Sequence, residues 1–125
     1  MGKRARKRST SVAGSPADTN LQAPVSVYAD PDGNELELRG SLTLRARAEY
    51  AATRSGGLDR EDAWQRATEL LFERLAVSWT ISGLRTDKQK ELLGRYRMAT
   101  AVERQFVRDS LRAHVAEHFP DVEAP

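Results

Sequence analysis

The chain has 125 residues, which is enough for one domain with a small hydrophobic core. It contains no cysteine, which excludes disulfides, thiolate metal sites and cysteine nucleophiles and favours a reducing compartment, the cytoplasm. No apolar run approaches the roughly 20 residues that cross a bilayer, so we expect no membrane contact. The net charge is +2, but residues 1–20 hold five cations and one acid, so the rest of the chain is mildly acidic.

Residues 1–24 combine a basic run with a stretch rich in Ser, Ala, Pro and Thr that has no apolar period. Such a composition buries too little apolar surface to offset the conformational entropy that is lost on ordering. It therefore predicts a disordered arm in front of one folded domain, residues 25–125. The arm could bind nucleic acid through phosphate contacts, or it could be a solubilising tail or contact an acidic protein partner. Its candidate nucleic-acid-binding residues are Lys3, Arg4, Arg6, Lys7 and Arg8.

The folded part begins with a hairpin signal. Val25 and Val27 form one apolar face, Leu36 and Leu38 form another, and the stretch "DPDGN" between them is rich in turn residues. A short helix is then predicted over residues 41–54, ended by a glycine pair at 56–57.

A longer helix is predicted to begin at Asp59, an N-cap followed by acidic residues in the first turn. Its apolar stripe has helical spacing and consists of Trp64, Ala67, Leu71, Phe72 and Leu75. The segment "AVSWTISGL" alternates Val77, Trp79 and Ile81 with small polar residues, which predicts a short strand or an extended crossing.

Two capping-box signals follow, "TDKQ" from Thr86 and "TAVE" from Thr100, and each predicts the start of a helix. The second helix ends before Pro120. The predicted fold is therefore mainly α within the α+β class: about four helices with a leading β-hairpin. The large aromatic residues would form the core, or alternatively they would anchor an interface.

The stretch "HVAEH", from His114 to His118, fits the zinc motif H-x-x-E-H. A catalytic zinc needs a third protein ligand, and few residues follow the motif, although Glu69 or Glu73 upstream stays open as a candidate. The simpler interpretation is that both histidines extend the apolar stripe of the last helix where it meets solvent. Both lie on this one helix, so Ser and Thr lack a visible base, and we expect no catalytic residue, metal or cofactor.

In the order of these segments the chain resembles the small tail assembly chaperones of long-tailed phages and prophages. Its composition, rich in alanine and arginine, resembles that of proteins from actinobacterial hosts. The resemblance covers residues 25–119 and is carried by "VYADPDGNELELRGSLTLRAR", "EDAWQRATELLFERLAVSWTISGL" and "KQKELLGRYRMATAVERQFVRDSLRAHV".

This resemblance implies a mainly helical, non-enzymatic protein of the host cytoplasm that binds a tape measure or tail tube protein through an apolar groove. Trp79 and Leu84 are its preferred anchors, and the full set of predicted partner-binding residues is Trp79, Ile81, Leu84, Leu92, Leu93 and Tyr96. The alternatives are a structural component of a tail or connector that stays in the particle, and a small DNA-associated protein that acts through its basic arm. A homo-oligomer is compatible with each.

Overall fold

A computed structural model of the chain describes residues 24–56 and 59–125. These residues form four α-helices and one four-stranded antiparallel sheet, which confirms the predicted mainly helical α+β class. The predicted arm lies outside the described residues except for Pro24.

The sheet is a meander in the order β1, β2, β3, β4, and every neighbouring pair is antiparallel. Its strands are β1 (Val25–Ala29), β2 (Glu35–Arg39), β3 (Ala76–Ile81) and β4 (Leu84–Thr86). The predicted hairpin is β1 and β2, and the predicted strand in "AVSWTISGL" is β3. A bulge leaves Val77 without a partner on β2, since Glu37 pairs with Ser78 and Leu38 with Ala76. The simple alternation expected for this strand is therefore broken at its start.

The turns of the sheet follow from local chemistry. In the first turn, the carboxylate of Asp30 accepts hydrogen bonds from the backbone of Asp32 and Asn34, and Gly33 adopts φ +85°. In the second turn, Ser82 and Gly83 both lie in the left-handed region, at φ 53° and 81°. Two consecutive residues of this conformation make the tight turn whose twist matches a two-stranded hairpin.

The helices are α1 (Leu44–Ser55), α2 (Arg60–Leu75), α3 (Gln89–Arg97) and α4 (Ala101–His118). The cap predicted for α2 is present, because the Asp59 carboxylate accepts from the Glu61 amide at 3.0 Å. The capping box predicted for α4 is complete. The Thr100 hydroxyl accepts from the Glu103 amide at 3.1 Å, and the Glu103 carboxylate accepts from the Thr100 amide at 2.8 Å.

The capping box predicted at Thr86 is wrong. Thr86 belongs to β4, where it pairs with Trp79, and α3 begins only at Gln89. Lys88 takes the N-cap position without a side-chain hydrogen bond. The tight turn at Ser82 and Gly83 brings the following residues back along β3, and this pairing takes Thr86 out of the helix.

One hydrophobic core lies between the sheet and the helices. The described residues that form it come from β2, β3 and all four helices, and the predicted stripe of α2 contributes four of its buried side chains: Ala67, Leu71, Phe72 and Leu75. From α4 the core takes Val107, Leu111 and Val115. Trp64, at the edge of the α2 stripe, is only partly buried and packs against this core from outside.

The segment after α4 folds back over α1. Phe119 is buried, and the Tyr50 hydroxyl donates to the backbone carbonyl of Glu123 at 2.5 Å. Two ion pairs join the same elements: Arg47 with Asp121 at 2.9 Å and Arg54 with Glu123 at 2.7 Å. The acidic partners are largely exposed, so the buried ring and the tyrosine bond hold this contact more than the ion pairs do.

Candidate functional site

The structure separates the predicted partner-binding residues into two groups. Trp79, Leu92 and Tyr96 are core residues with side chains 1%, 3% and 9% exposed. In this structure these three belong to the core between sheet and helices, the alternative predicted for the large aromatic residues, and they are not exposed for a partner. Ile81 and Leu93 are half-buried, and Leu84 is 62% exposed.

The burial of Trp79 follows from its packing in a cluster of three aromatic rings. Its ring packs edge-on against Phe72, with the ring centroids 5.7 Å apart, and Phe72 stacks in turn on Tyr96 at 5.0 Å. This cluster joins β3 to α2 and α3. The indole Nε1 is buried without a hydrogen-bond partner among the described residues. The residue therefore serves packing alone in this conformation.

Leu84 lies on β4, an edge strand whose outer side pairs with no strand in the described part of the chain. Thr86 is two residues further on and shares its face. Thr86, Arg95 and Met98 line a cleft of about 530 Å³ between β4 and the end of α3, and Met98 is 89% exposed. We call Leu84, Thr86, Arg95 and Met98 the β4 edge surface. The strand was missed in the sequence, although "SG" between two short β-favouring runs is a hairpin signal.

The histidines of "HVAEH" contact residues of the β1–β2 hairpin. His114 is fully buried, which corrects the expectation that it meets solvent. Its Nε2 lies 2.7 Å from the carbonyl oxygen of Arg39, and its Nδ1 lies 2.9 Å from the Tyr28 hydroxyl. A carbonyl can only accept, so Nε2 carries the proton and Nδ1 accepts from Tyr28. Neither nitrogen has a lone pair free for zinc.

His118 is partly exposed, and its Nε2 lies 3.2 Å from the Ser26 hydroxyl oxygen. The two imidazole rings are 4.4 Å apart between centroids. Burial lowers the pKa of His114, with a smaller effect of His118 in the same direction, against the hydrogen bond to Arg39. Among residues 24–56 and 59–125, no group of three or more His, Asp or Glu side chains is arranged to hold a metal ion. Glu69, one candidate third ligand, is paired with Arg97 instead.

A second cleft, of about 440 Å³, lies between α2 and α4, with Tyr96 of α3 at its base. Its walls carry Arg66 on one side and Arg104 and Arg108 on the other. The carbon at the centre of the Arg104 guanidinium lies 5.7 Å from the centroid of the Tyr96 ring. The sequence shows the helical spacing of the two arginines on α4, but not that a tyrosine from another helix lies beneath them.

The candidate nucleic-acid-binding residues, Lys3 to Arg8, lie outside the described residues. None of the helices that the structure describes has both the length and the apolar character needed to cross a membrane.

No family model matches this chain, and neither a curated protein nor a solved structure matches it. The resemblance to tail assembly chaperones therefore rests on the order of the sequence segments, and the function that it implies stays a prediction.

Proposed function

We propose that this protein is a non-enzymatic tail assembly chaperone-like protein that binds a tape measure or tail tube protein in the host cytoplasm. The observation that supports it best is the β4 edge surface, where a leucine and a methionine are exposed beside the unpaired edge of a strand. We therefore propose the β4 edge surface as the contact area, in place of the larger apolar groove that the resemblance implies. Of the six partner-binding residues predicted from the resemblance, Leu84 is the one that belongs to the β4 edge surface.

Two physical properties favour this surface for a protein client. The outer edge of β4 offers backbone N–H and C=O groups to an extended segment, and apolar side chains beside it give such a segment something to bury. Charged residues border the apolar ones, with Glu91, Arg95 and Glu103 lining the same cleft as Met98. A charged border around an apolar centre is typical of an interface that must also be compatible with water when it is free.

The test is affinity capture of the full chain, expressed beside the products of its neighbouring genes with nuclease present, followed by mass spectrometry of bound protein. Leu84→Asp places a charge on the exposed leucine of the β4 edge surface. Leu44→Asp is its matched control, because Leu44 is 84% exposed but lies on α1. Loss of a central interface leucine costs about 2 kcal/mol, so we expect roughly thirtyfold weaker capture for Leu84→Asp.

The supporting result is a long partner that is insoluble alone, retained by the wild type and by Leu44→Asp and lost with Leu84→Asp. Capture that is equal in both variants would contradict the assignment of this surface. Recovery of nothing but nucleic acid would contradict the proposed function itself. Trp79→Ala is not a suitable variant, because removing a buried tryptophan costs about 3–5 kcal/mol of folding stability whatever the partner.

The two alternatives stay distinguishable by experiment. A structural component of a tail or connector would be found in purified particles, whereas a chaperone would be left behind in the cytoplasm. A DNA-associated protein is favoured by one specific observation, the five cations among residues 3–8. Its test is the deletion of residues 2–8, which removes these five cations.

A further inference from the structure

The cleft between α2 and α4 contains positive charge that its own carboxylates do not neutralise. Asp62 pairs with Arg66, four residues further along α2. Glu69 pairs with Arg97 at 2.7 Å. Both acidic side chains of the cleft wall are thus already engaged. Arg104 and Arg108 form no ion pair with any residue that the structure describes, and Arg104 instead donates to the backbone carbonyl of Arg97 at 2.6 Å.

Among the described residues that line the cleft, one buried hydrogen-bond donor lacks an acceptor. The Arg108 Nε is buried without a partner among the described residues. Tyr96 is 9% exposed and its ring stacks on Phe72; its hydroxyl makes no hydrogen bond to a described residue and is open to solvent in the cleft. Burial raises the pKa of Tyr96; the charge of Arg104 acts in the opposite direction, Glu69 raises the pKa and Arg108 lowers it, so both cations and one carboxylate lie near the hydroxyl. The acceptor missing at the Arg108 Nε, together with two guanidinium groups that form no ion pair in the described part of the chain, is a reason to expect an anionic ligand.

We propose that this cleft binds the carboxylate of an acidic side chain presented by the protein partner, held by Arg104, Arg108 and the hydroxyl of Tyr96. Two guanidinium groups and a phenol supply donors in number and charge for one carboxylate, and such charge-assisted bonds are among the strong ones. The face of the tyrosine ring would contact the methylene groups of the same side chain. The inference deepens the proposed function and rests on it for the partner.

The surroundings of the cleft favour a single carboxylate over the backbone of a nucleic acid. Asp62, Glu69 and Asp109 lie around the two arginines, with Asp109 bound to Gln105 of the cleft wall at 2.9 Å. A polyanion would bring its neighbouring phosphates against these carboxylates, whereas one acidic side chain would not. The described part of the chain is also net acidic, because the basic excess belongs to the first twenty residues.

The first experiment uses glutarate as the probe and the full-length, ¹⁵N-labelled chain. Titration is followed through the Nε–Hε signals of the arginine side chains and, so that the arginine variants can be measured too, through the backbone amide signals of the cleft residues. We expect those of Arg104 and Arg108 to shift together and to saturate. In the Arg104→Gln/Arg108→Gln variant the affinity should fall at least about tenfold, since each lost charge-assisted bond is worth about that factor. Arg45→Gln, an exposed arginine of α1 outside this cleft, is the control that should bind like the wild type.

Tyr96→Phe protects the test against a folding artefact, because it removes only the hydroxyl and keeps the stacked ring. We expect it to weaken glutarate binding about threefold to tenfold with an unchanged spectrum elsewhere. The inference would be overturned if the signals of Arg104 and Arg108 did not move with glutarate. An affinity for glutarate that is unchanged in the double variant would overturn it too. A short single-stranded oligonucleotide that saturates this cleft at lower concentration than glutarate would overturn the choice of a carboxylate.

The second experiment is the partner capture described above, repeated with Arg104→Gln/Arg108→Gln. Weaker capture than with Arg45→Gln supports the inference. Full capture together with no glutarate binding would refute the carboxylate site while the proposed function stands. Glutarate binding without any captured protein would refute the proposed function and leave the anion site standing.

Discussion

His114 is a buried base with both ring nitrogens in hydrogen bonds, one to the carbonyl of Arg39 and one to the hydroxyl of Tyr28. Protonation would place a second N–H against the tyrosine oxygen and a buried positive charge beside His118. The one acid facing this pair is Glu117, on the exposed side of α4. The folded state therefore disfavours the charged form of His114.

A pH dependence of stability follows from this environment. The pKa of His114 is lowered in the folded chain relative to its ordinary value of 6.5, so between the two values the unfolded chain binds more protons. The contribution of His114 to the free energy of unfolding should be fully present above about pH 6.5. As the pH drops further, the free energy of unfolding should fall by at most about 1.4 kcal/mol per pH unit for this one group. Urea unfolding at a series of pH values from 7.5 to 5.5 measures it.

The matched variants are His114→Gln and His118→Gln. Glutamine can still donate to the Arg39 carbonyl but does not titrate, so the first variant should lose most of the slope in this range. His118→Gln should keep it. A slope unchanged in His114→Gln would show that other groups are responsible.

Single residues also mark how far the sequence could be interpreted. The stripe of α4 correctly placed His114 on the apolar face, but the depth of burial depends on the hairpin that covers it, which no local pattern contains. The same holds for Trp79 and Leu84. Both are apolar residues of one segment, yet the first packs on Phe72 and the second lies on the outer strand, and only the sheet order distinguishes them.

At the scale of elements, predictions that depend on neighbours along the chain succeeded. The caps at Asp59 and Thr100 are formed by residues two or three positions away, so the sequence contains all of their parts. The cap at Thr86 was wrong because a strand pairing, which involves residues beyond the turn, competes for the same threonine.

The two helix starts can be compared directly. Thr100→Ala removes a cap hydrogen bond of α4 and should lower the free energy of unfolding by about 1 kcal/mol. Lys88→Ala, at the N-cap of α3, removes no cap bond and should change it by less than about 0.5 kcal/mol. Chemical denaturation of the two variants beside the wild type measures both values. Equal losses would show that the capping box of α4 contributes nothing beyond the ordinary effect of a surface substitution.

For the whole molecule, the distribution of charge separates two modes of binding. The basic residues at positions 3–8 belong to the arm, whereas the described part of the chain carries a net negative charge. The cleft residues Arg104 and Arg108 were not found from the sequence, because the site needs α2, α3 and α4 together and each arginine alone resembles any solvated cation of a helix.

If the arm binds nucleic acid, deletion of residues 2–8 should abolish that binding. The affinity of the intact chain should fall steeply with salt, with a slope of log K against log salt concentration of about −4.5 for five phosphate contacts. Fluorescence anisotropy with a labelled duplex measures both quantities. Deletion of residues 9–15, an equally long stretch without charge, is the control and should leave the binding intact. Equal binding by both deletions would refute this role of the arm.

The order of the strands has a consequence for how the chain folds. β2 and β3 are neighbours in the sheet, yet the whole of α1 and α2 lies between them in the sequence. Each hairpin, β1 with β2 and β3 with β4, closes a short loop and can form early, whereas joining them must first close the long one. We therefore expect the two hairpins and the α1–α2 pair to form before the transition state, and the central pairing of Leu36 with Trp79 to form in the rate-limiting step of folding.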